Sequence, residues 1–171
     1  MPDIAVSDTG PILHLAEIGA VHQLGLFRVV IISEQVRAEL AELGAWESGP
    51  NALSDCISVQ RVSSQEISYQ AKHLSMFTVH RTDLSVAALA ARTDCDVVLT
   101  DDLLLRRGLE SQGHQVVGSV GVLIRAFRMK QLAKSELLCS IDQLLDGSSL
   151  YTSKAFRVTI RRFLENLATS E

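Results

Sequence analysis

Val97-Val98-Leu99-Thr100-Asp101-Asp102 is an apolar run that stops at two adjacent acids. A short, uninterrupted apolar run of this kind predicts a buried strand in a parallel sheet. Ligands of open α/β sheets bind beyond the carboxyl ends of the strands, so acids placed there are functional candidates. Ile4-Ala5-Val6-Ser7 runs in the same way into Asp8-Thr9-Gly10. Two strand ends tipped with carboxylate predict one acidic pocket.

Around these two strands, helical spacing alternates with further short apolar runs. Gly10-Pro11 opens a helix, since an early helical position tolerates the missing proline N–H. Leu13, Ala16, Ile18, Val21 and Leu24 then continue at helical spacing toward a stop near Gly25. Val29 to Ile32 predicts a second buried strand, with Ser33 capping the next helix. Val36, Leu40 and Leu43 mark the core face of that helix, and Glu39 lies close to this face instead of opposite it. Residues 44–55 lose periodicity, and Trp46, Gly49 and Pro50 predict an irregular loop. Ile57 and Val59 predict a more alternating strand near a sheet edge, and Ser63 and Glu66 have the spacing of a capping box.

Thr82-Asp83 introduces a small-residue helix, Leu84 to Ala91, suited to close packing on a sheet. A helix from about Leu103 to Ser111, a short strand Val116-Val117, and helices beginning near Gly118 and Ser135 follow. Gly118-x-x-Gly121 lacks the full glycine pattern of a dinucleotide loop and is taken as helix packing. Residues 153–168 form a C-terminal helix with Phe156, Ile160, Phe163, Leu164 and Leu167 on one face. That face either closes the core or forms a homodimer or partner surface. The alternation predicts an α/β fold: a single three-layer domain over residues 1–171, with a mostly parallel sheet of about five strands flanked by helices.

The composition narrows the function classes. Hydrophobic residues make up 47% of the chain, and no uncharged apolar run approaches the roughly 20 residues that cross a bilayer. A soluble protein without a membrane role is expected. The N-terminus lacks a basic segment followed by an apolar one, as a secretory signal requires. Three scattered cysteines, Cys56, Cys95 and Cys139, build neither a disulfide framework nor a zinc site, so a cytoplasmic location is expected. The net charge of −4 is unevenly spread: residues 1–100 carry net −6 and residues 101–171 net +2. A bound divalent cation inverts the sign of an acidic pocket, so the negative total does not exclude a phosphate-bearing substrate.

Each acid has an ordinary structural role available to it. Asp8, Asp83 and Asp101 or Asp102 can cap helices, and Glu39 can be a solvated charge. Together they imply more, because right-handed crossovers bring the ends of the first and fourth strands to one side of the sheet. The helix beginning at Asp83 need not share that side. A cluster of carboxylates is costly unless protonation or a cation relieves the repulsion. Oxygen ligands suit Mg²⁺ or Mn²⁺, which activate water and stabilise charge on a phosphodiester.

Val6-Ser7-Asp8-Thr9-Gly10-Pro11-Ile12-Leu13, Val36-Arg37-Ala38-Glu39-Leu40, Thr82-Asp83 and Val98-Leu99-Thr100-Asp101-Asp102, in this order and spacing, resemble the PIN-domain family of the PilT N-terminus type. Gly118-Ser119-Val120-Gly121-Val122-Leu123 is similar to a further segment of its toxin-like subgroup. The similarity covers nearly the whole chain. It implies a metal-dependent endoribonuclease using Mg²⁺ or Mn²⁺, with Asp8, Glu39, Asp83 and Asp102 as the catalytic and metal-binding acids. It also implies RNA as substrate and an antitoxin protein as partner. The family's Thr-x-Asp pattern falls on Thr100 and Asp102, which leaves Asp101 in a supporting place. Ser7, Thr9 and Thr100 resemble the small hydroxyl residues that neighbour such sites. The subgroup often has Gly-Glu where this chain has Thr82-Asp83, a departure that shortens one carboxylate.

Two other chemistries share parts of the pattern. Asp8-Thr9-Gly10 spells the aspartic-protease signature, but that mechanism needs two such carboxylates and the chain has one. A phosphatase of haloacid-dehalogenase type needs a second acid two residues after the first, where Gly10 stands. A PIN-like module that binds RNA or protein without cutting is the non-enzymatic alternative. Arg81, Arg106, Arg107 and Arg125, placed near strand ends or helix starts, are candidate RNA contacts.

Overall fold

Val and Ile fill most positions of five short strands: Ile4–Ser7 (β1), Val29–Ser33 (β2), Ile57–Gln60 (β3), Val97–Leu99 (β4) and Val116–Val117 (β5). The computed structural model describes residues 4–48 and 56–168. Every strand pair is parallel, and the order across the sheet is β3-β2-β1-β4-β5. The expected α/β sheet of about five strands is therefore present and wholly parallel. β3 lies at an edge, as its alternating pattern predicted.

The strand order matters for function. The chain runs outward from β1 through β2 to β3, then returns to the other side of β1 as β4. Neighbouring connections thus leave in opposite directions at the β1/β4 pair. This opens a crevice at the carboxyl ends of these two strands, where open α/β sheets bind ligands. The crevice is held shut below by pairing of Val6 with Val98 and Ser7 with Leu99, and by the Asp8 N–H donating to Leu99 O at 2.9 Å.

Helices flank the sheet: Thr9–Glu17 (α1), Glu34–Glu42 (α2), Ala45–Ser48 (α3), Ser64–His73 (α4), Arg81–Arg92 (α5), Leu103–Ser111 (α6), Ser119–Arg128 (α7), Lys134–Asp146 (α8) and Lys154–Ala168 (α9). α5 packs across β1 and β2, while α6 and α7 pack on β5. Ala5, Val6, Val30, Ile32, Val98 and Leu99 are fully buried between them. The small residues Ala87, Ala88 and Ala90 of α5 are buried too, as close packing of an Ala-rich helix requires.

Three expectations need correction. The first helix does not continue to Gly25. α1 ends at Glu17, Gly19 turns the chain at φ +69°, and Val21–Leu26 forms a separate 3₁₀ segment whose apolar residues face the same core. Apolar spacing persists across the break because both pieces bury one side, so periodicity alone misses it. Residues 45–48, expected as irregular loop, form α3, and Trp46 packs against the core beneath the Arg37 guanidinium. The rest of that loop, residues 49–55, lies outside the described residues. The third correction concerns α9, where the expected apolar face divides. Ile160 and Leu164 are buried and Phe163 and Leu167 pack partly on the core, but Phe156 is 40% exposed. Arg157 ties the helix to the end of α8 through Asp146 Oδ1 at 2.6 Å and the Leu145 carbonyl.

Candidate active site

The acids beyond the strand ends are fixed by hydrogen bonds that follow from local helix geometry. Asp8 ends β1 and caps α1: one oxygen accepts from Thr9 N at 2.7 Å and the other from the Thr100 hydroxyl at 2.9 Å. That second bond joins the ends of β1 and β4. Asp102 caps α6, accepting from Leu105 N at 2.7 Å, and its own N–H donates to Thr100 Oγ1 at 3.1 Å. A single threonine thus serves both aspartates. Capping and membership of an acidic site are compatible, because a cap uses only part of a carboxylate's acceptor capacity.

Asp83 is not the cap of α5. The helix begins at Arg81, and Asp83 accepts from the His80 N–H at 2.6 Å from within the first turn. α5 sits on β1 and β2, and the bond from Ser85 to Ser33 at the end of β2 puts its N-terminal turn at the carboxyl ends of the strands, on the same side as Asp8 and Asp102. Glu39, from α2, is half-buried and receives two hydroxyl donors, Thr9 at 2.6 Å on one oxygen and Thr82 on the other.

These four carboxylates feel one another. Burial above all, together with the charges of Asp83 and Glu39, pushes Asp8 up to about 7 against the lowering effect of its two hydrogen bonds. Burial likewise raises Asp83, with Asp102 and Glu39 adding to the effect. Among the described residues, no Lys or Arg forms an ion pair with any of the four, whereas Glu66 and Asp146 each have an arginine. Among the described residues the cluster thus concentrates negative charge with no lysine or arginine paired to it, and His80 offsets it only in part, at Asp83. A perturbed carboxylate beside others at such a crevice is a candidate functional site.

Asp101 is engaged differently. Its carboxylate meets His14 Nδ1 at 2.8 Å and accepts from Ser119 N at 2.8 Å and from the Ser119 hydroxyl. It therefore clamps α1 and α7 to the end of β4. A Cβ on Gly118 would stand 2.6 Å from Asp101 Oδ1, and one on Gly121 would stand 2.5 Å from Val117 Cγ1. The glycines allow close packing, and Asp101 occupies the place at the α7 N-terminus that an anion would take. Arg106, expected among RNA contacts, donates to the carbonyls of Val116 at 2.9 Å and Thr100 at 3.3 Å, and so braces the ends of β5 and β4. Arg125 stacks over Phe27 near the far end of α7, while Arg81 and Arg107 are exposed.

A PIN-domain family model matches residues 4–166. The chain belongs to the PIN-domain family. No curated protein matches it. PIN domains have a nuclease-like fold and are generally hydrolases that act on RNA, usually with divalent metal. The five-stranded parallel sheet of this PIN domain, with acids at the β1 and β4 ends, is consistent with that class. Among the described residues, no three acid, His or Cys side chains already stand together as a ready cation cage. The donor set still fits a hard cation: it is all oxygen, mutually repelling and, among the described residues, not ion-paired with any Lys or Arg. Mg²⁺ in particular retains waters and needs only a few direct carboxylates.

Several contributors to this PIN site escape sequence reasoning. The Thr82 hydroxyl, the buried Ser33 and Ser85 pair at 2.7 Å, His14 and Ser119 all act through long-range contacts. Thr82 had a signal, its place beside Asp83. His14 had none beyond being polar in an apolar helix. A cleft lined by Ile18, His22, Leu132 and Cys139 lies away from these acids and contains none of them.

Proposed function

We propose that this chain is a metal-dependent endoribonuclease in which Asp8, Asp83 and Asp102, completed by Glu39, hold Mg²⁺ or Mn²⁺. The supporting observation is the mutual repulsion of four carboxylates around the β1/β4 crevice: Asp83 and Glu39 help raise Asp8 to about 7, Asp102 and Glu39 help raise Asp83, and no Lys or Arg is ion-paired with any of them among the described residues. When bound, the metal supplies positive charge that activates water and stabilises the developing phosphorane charge. The protein's own part is orientation. Thr100 holds Asp8 and receives the Asp102 N–H, which sets the two strand-end acids against each other. The His80 N–H and the capped turn of α6 fix Asp83 and Asp102 from either side. Water attacks phosphorus in line and gives up a proton to solvent: a new P–O bond forms, the P–O3′ bond breaks, O3′ takes up a proton from solvent, and 5′-phosphate and 3′-hydroxyl ends result.

Ser7, Thr9 and Thr100 are supporting hydroxyls, and Asp101 is a structural clamp. The whole chain, residues 1–171, acts as one PIN unit in a cytoplasmic setting, and no helix among the described residues is long and apolar enough to cross a membrane. As the toxin of a toxin–antitoxin pair it takes an antitoxin protein as partner. The exposed Phe156 and Val158 on α9 offer an apolar surface for that protein or for a second copy.

Purified wild type and Asp8→Asn, assayed on single-stranded and structured RNA with EDTA, Mg²⁺ or Mn²⁺, test the reading. Metal-dependent cleavage by wild type and its loss in Asp8→Asn are expected. Cleavage in EDTA, or an unaffected Asp8→Asn, refutes it, and RNA binding without cutting in any metal supports the interaction-module alternative.

A further inference from the structure

Asp8, Asp83 and Asp102 each accept from a backbone N–H, whereas the hydrogen bonds to Glu39 come from side-chain hydroxyls, so other parts of the chain must fix it. Its two oxygens accept from two threonines on two other helices, Thr9 of α1 and Thr82 of α5. One donor on each oxygen defines both the tilt and the plane of a carboxylate. Charge-assisted bonds of this kind are also stronger than neutral ones. Threonine is a stiff donor because its branched Cβ restricts χ1.

Thr82 is in turn held by the helix that carries Glu39. Its carbonyl accepts from the Ser85 hydroxyl at 2.6 Å, Ser85 bonds Ser33 at 2.7 Å, and Ser33 Oγ accepts from Val36 N at 3.0 Å in the first turn of α2. Ser33 and Ser85 are fully buried. The result is a closed polar frame between α2 and α5, joined once through Ser33 and Ser85 and once through Glu39 and Thr82. Asp83 is the next residue along, and the Glu39 charge contributes to its environment. The frame therefore sets the spacing of two acids that repel each other.

We propose that Thr82, with Thr9, is a positioning residue that holds Glu39 in its place relative to Asp83 and so prepares the acidic site for a divalent cation. This rests on the nuclease reading above and assigns Thr82 a role within it. Hydroxyls that orient metal-binding carboxylates typically contribute 10–100-fold to affinity or activity. Valine matches threonine in shape and lacks the hydroxyl, whereas serine keeps it.

The test is calorimetric titration of the full chain with Mn²⁺ alone, using wild type, Thr82→Val, Thr82→Ser, Glu39→Ala, the Thr82→Val/Glu39→Ala double variant and Asp8→Asn, each checked for folding by urea denaturation. Thr82→Val is expected to raise the Mn²⁺ Kd about 10-fold or more, with most of the loss recovered in Thr82→Ser. The Thr82→Val effect should vanish in the Glu39→Ala background, because the hydroxyl then has no carboxylate to hold. On RNA, Thr82→Val should lower kcat and leave KM unchanged. If Thr82→Val does not fold, Thr9→Val removes the other donor and carries the same expectation. Binding by Thr82→Val equal to that of wild type, or an effect undiminished in Glu39→Ala, overturns the proposal while the nuclease reading stands. Identical titrations of wild type and Asp8→Asn overturn the nuclease reading and the role of Thr82 with it.

Discussion

Replacing Asp8 by Asn should convert a pH-dependent liability of the metal-free protein into a pH-independent one. The Asp8 carboxyl is raised from 3.8 to about 7, chiefly by burial and then by the charges of Asp83 and Glu39. A group whose folded value exceeds its unfolded value favours the folded state below both values, and that contribution disappears as pH rises through the folded value. At about 1.4 kcal/mol per pH unit, ionising Asp8 costs about 4 kcal/mol of stability once the pH is well above 7, of which about 3 kcal/mol falls between pH 5 and pH 8. Asn keeps an acceptor for Thr9 N, and its amide can face Thr100 Oγ1, which accepts as well as donates. Urea denaturation in EDTA at pH 5, 6, 7 and 8 reads the effect. With a slope of about 2 kcal/mol/M, the wild-type midpoint should fall by about 1.5 M relative to Asp8→Asn across that range. Titrating groups away from Asp8 are common to both proteins and cancel in the difference. Mn²⁺ added at pH 8 should restore wild type and leave Asp8→Asn unchanged, since only a binding site links ligand to stability. Parallel midpoint curves from pH 5 to pH 8 would refute the claim that the Asp8 charge is buried at cost.

Three further outcomes follow from packing and clamping. Gly118→Ala places a Cβ 2.6 Å from Asp101 Oδ1 and Gly121→Ala one 2.5 Å from Val117 Cγ1; each should cost about 1–3 kcal/mol by thermal or urea unfolding. Asp101→Asn removes the charge that His14 Nδ1 and the Ser119 N–H and hydroxyl share, so it should lower stability by about 1–3 kcal/mol, and a decrease in RNA cleavage larger than its change in Mn²⁺ affinity would separate clamping from ligation. In α9, Ile160→Ala or Leu164→Ala should cost about 2–5 kcal/mol as buried truncations, whereas exposed Phe156→Glu should change stability little; light scattering on Phe156→Glu then reports whether α9 joins two copies, a wild-type dimer turned monomer supporting it and a wild-type monomer refuting it.

Much of the fold was legible because its signals are local. Valine- and isoleucine-rich runs mark the strands, Ser33 and Ser63 cap α2 and α4 as expected, and Gly44 and Gly113 close helices at positive φ. The break after Glu17 was hidden, since α1 and the 3₁₀ segment bury the same side and leave apolar periodicity intact. For the site, the strand-end position of Asp8, Asp101 and Asp102 could be inferred from parallel topology. The placement of Asp83 could not, because nothing local says which end of the sheet a helix N-terminus will face when the strand before it is at the edge.

By itself the sequence determined the chemistry available: an acidic first part, oxygen donors without a cysteine or histidine cage, and a sheet whose strands end in carboxylates. It did so because these properties depend on residue type and on spacing within a few turns. Tertiary structure decided which acid does what. Asp101 and Asp102 are neighbours in the chain, yet one is saturated by His14 and Ser119 while the other caps α6 and adds its charge to the surroundings of Asp83. Thr82 became the holder of Glu39 through a contact spanning 43 residues. Such roles depend on the crossing of α1, α2 and α5 above the sheet, where burial and mutual charge, rather than residue type, set what each side chain does.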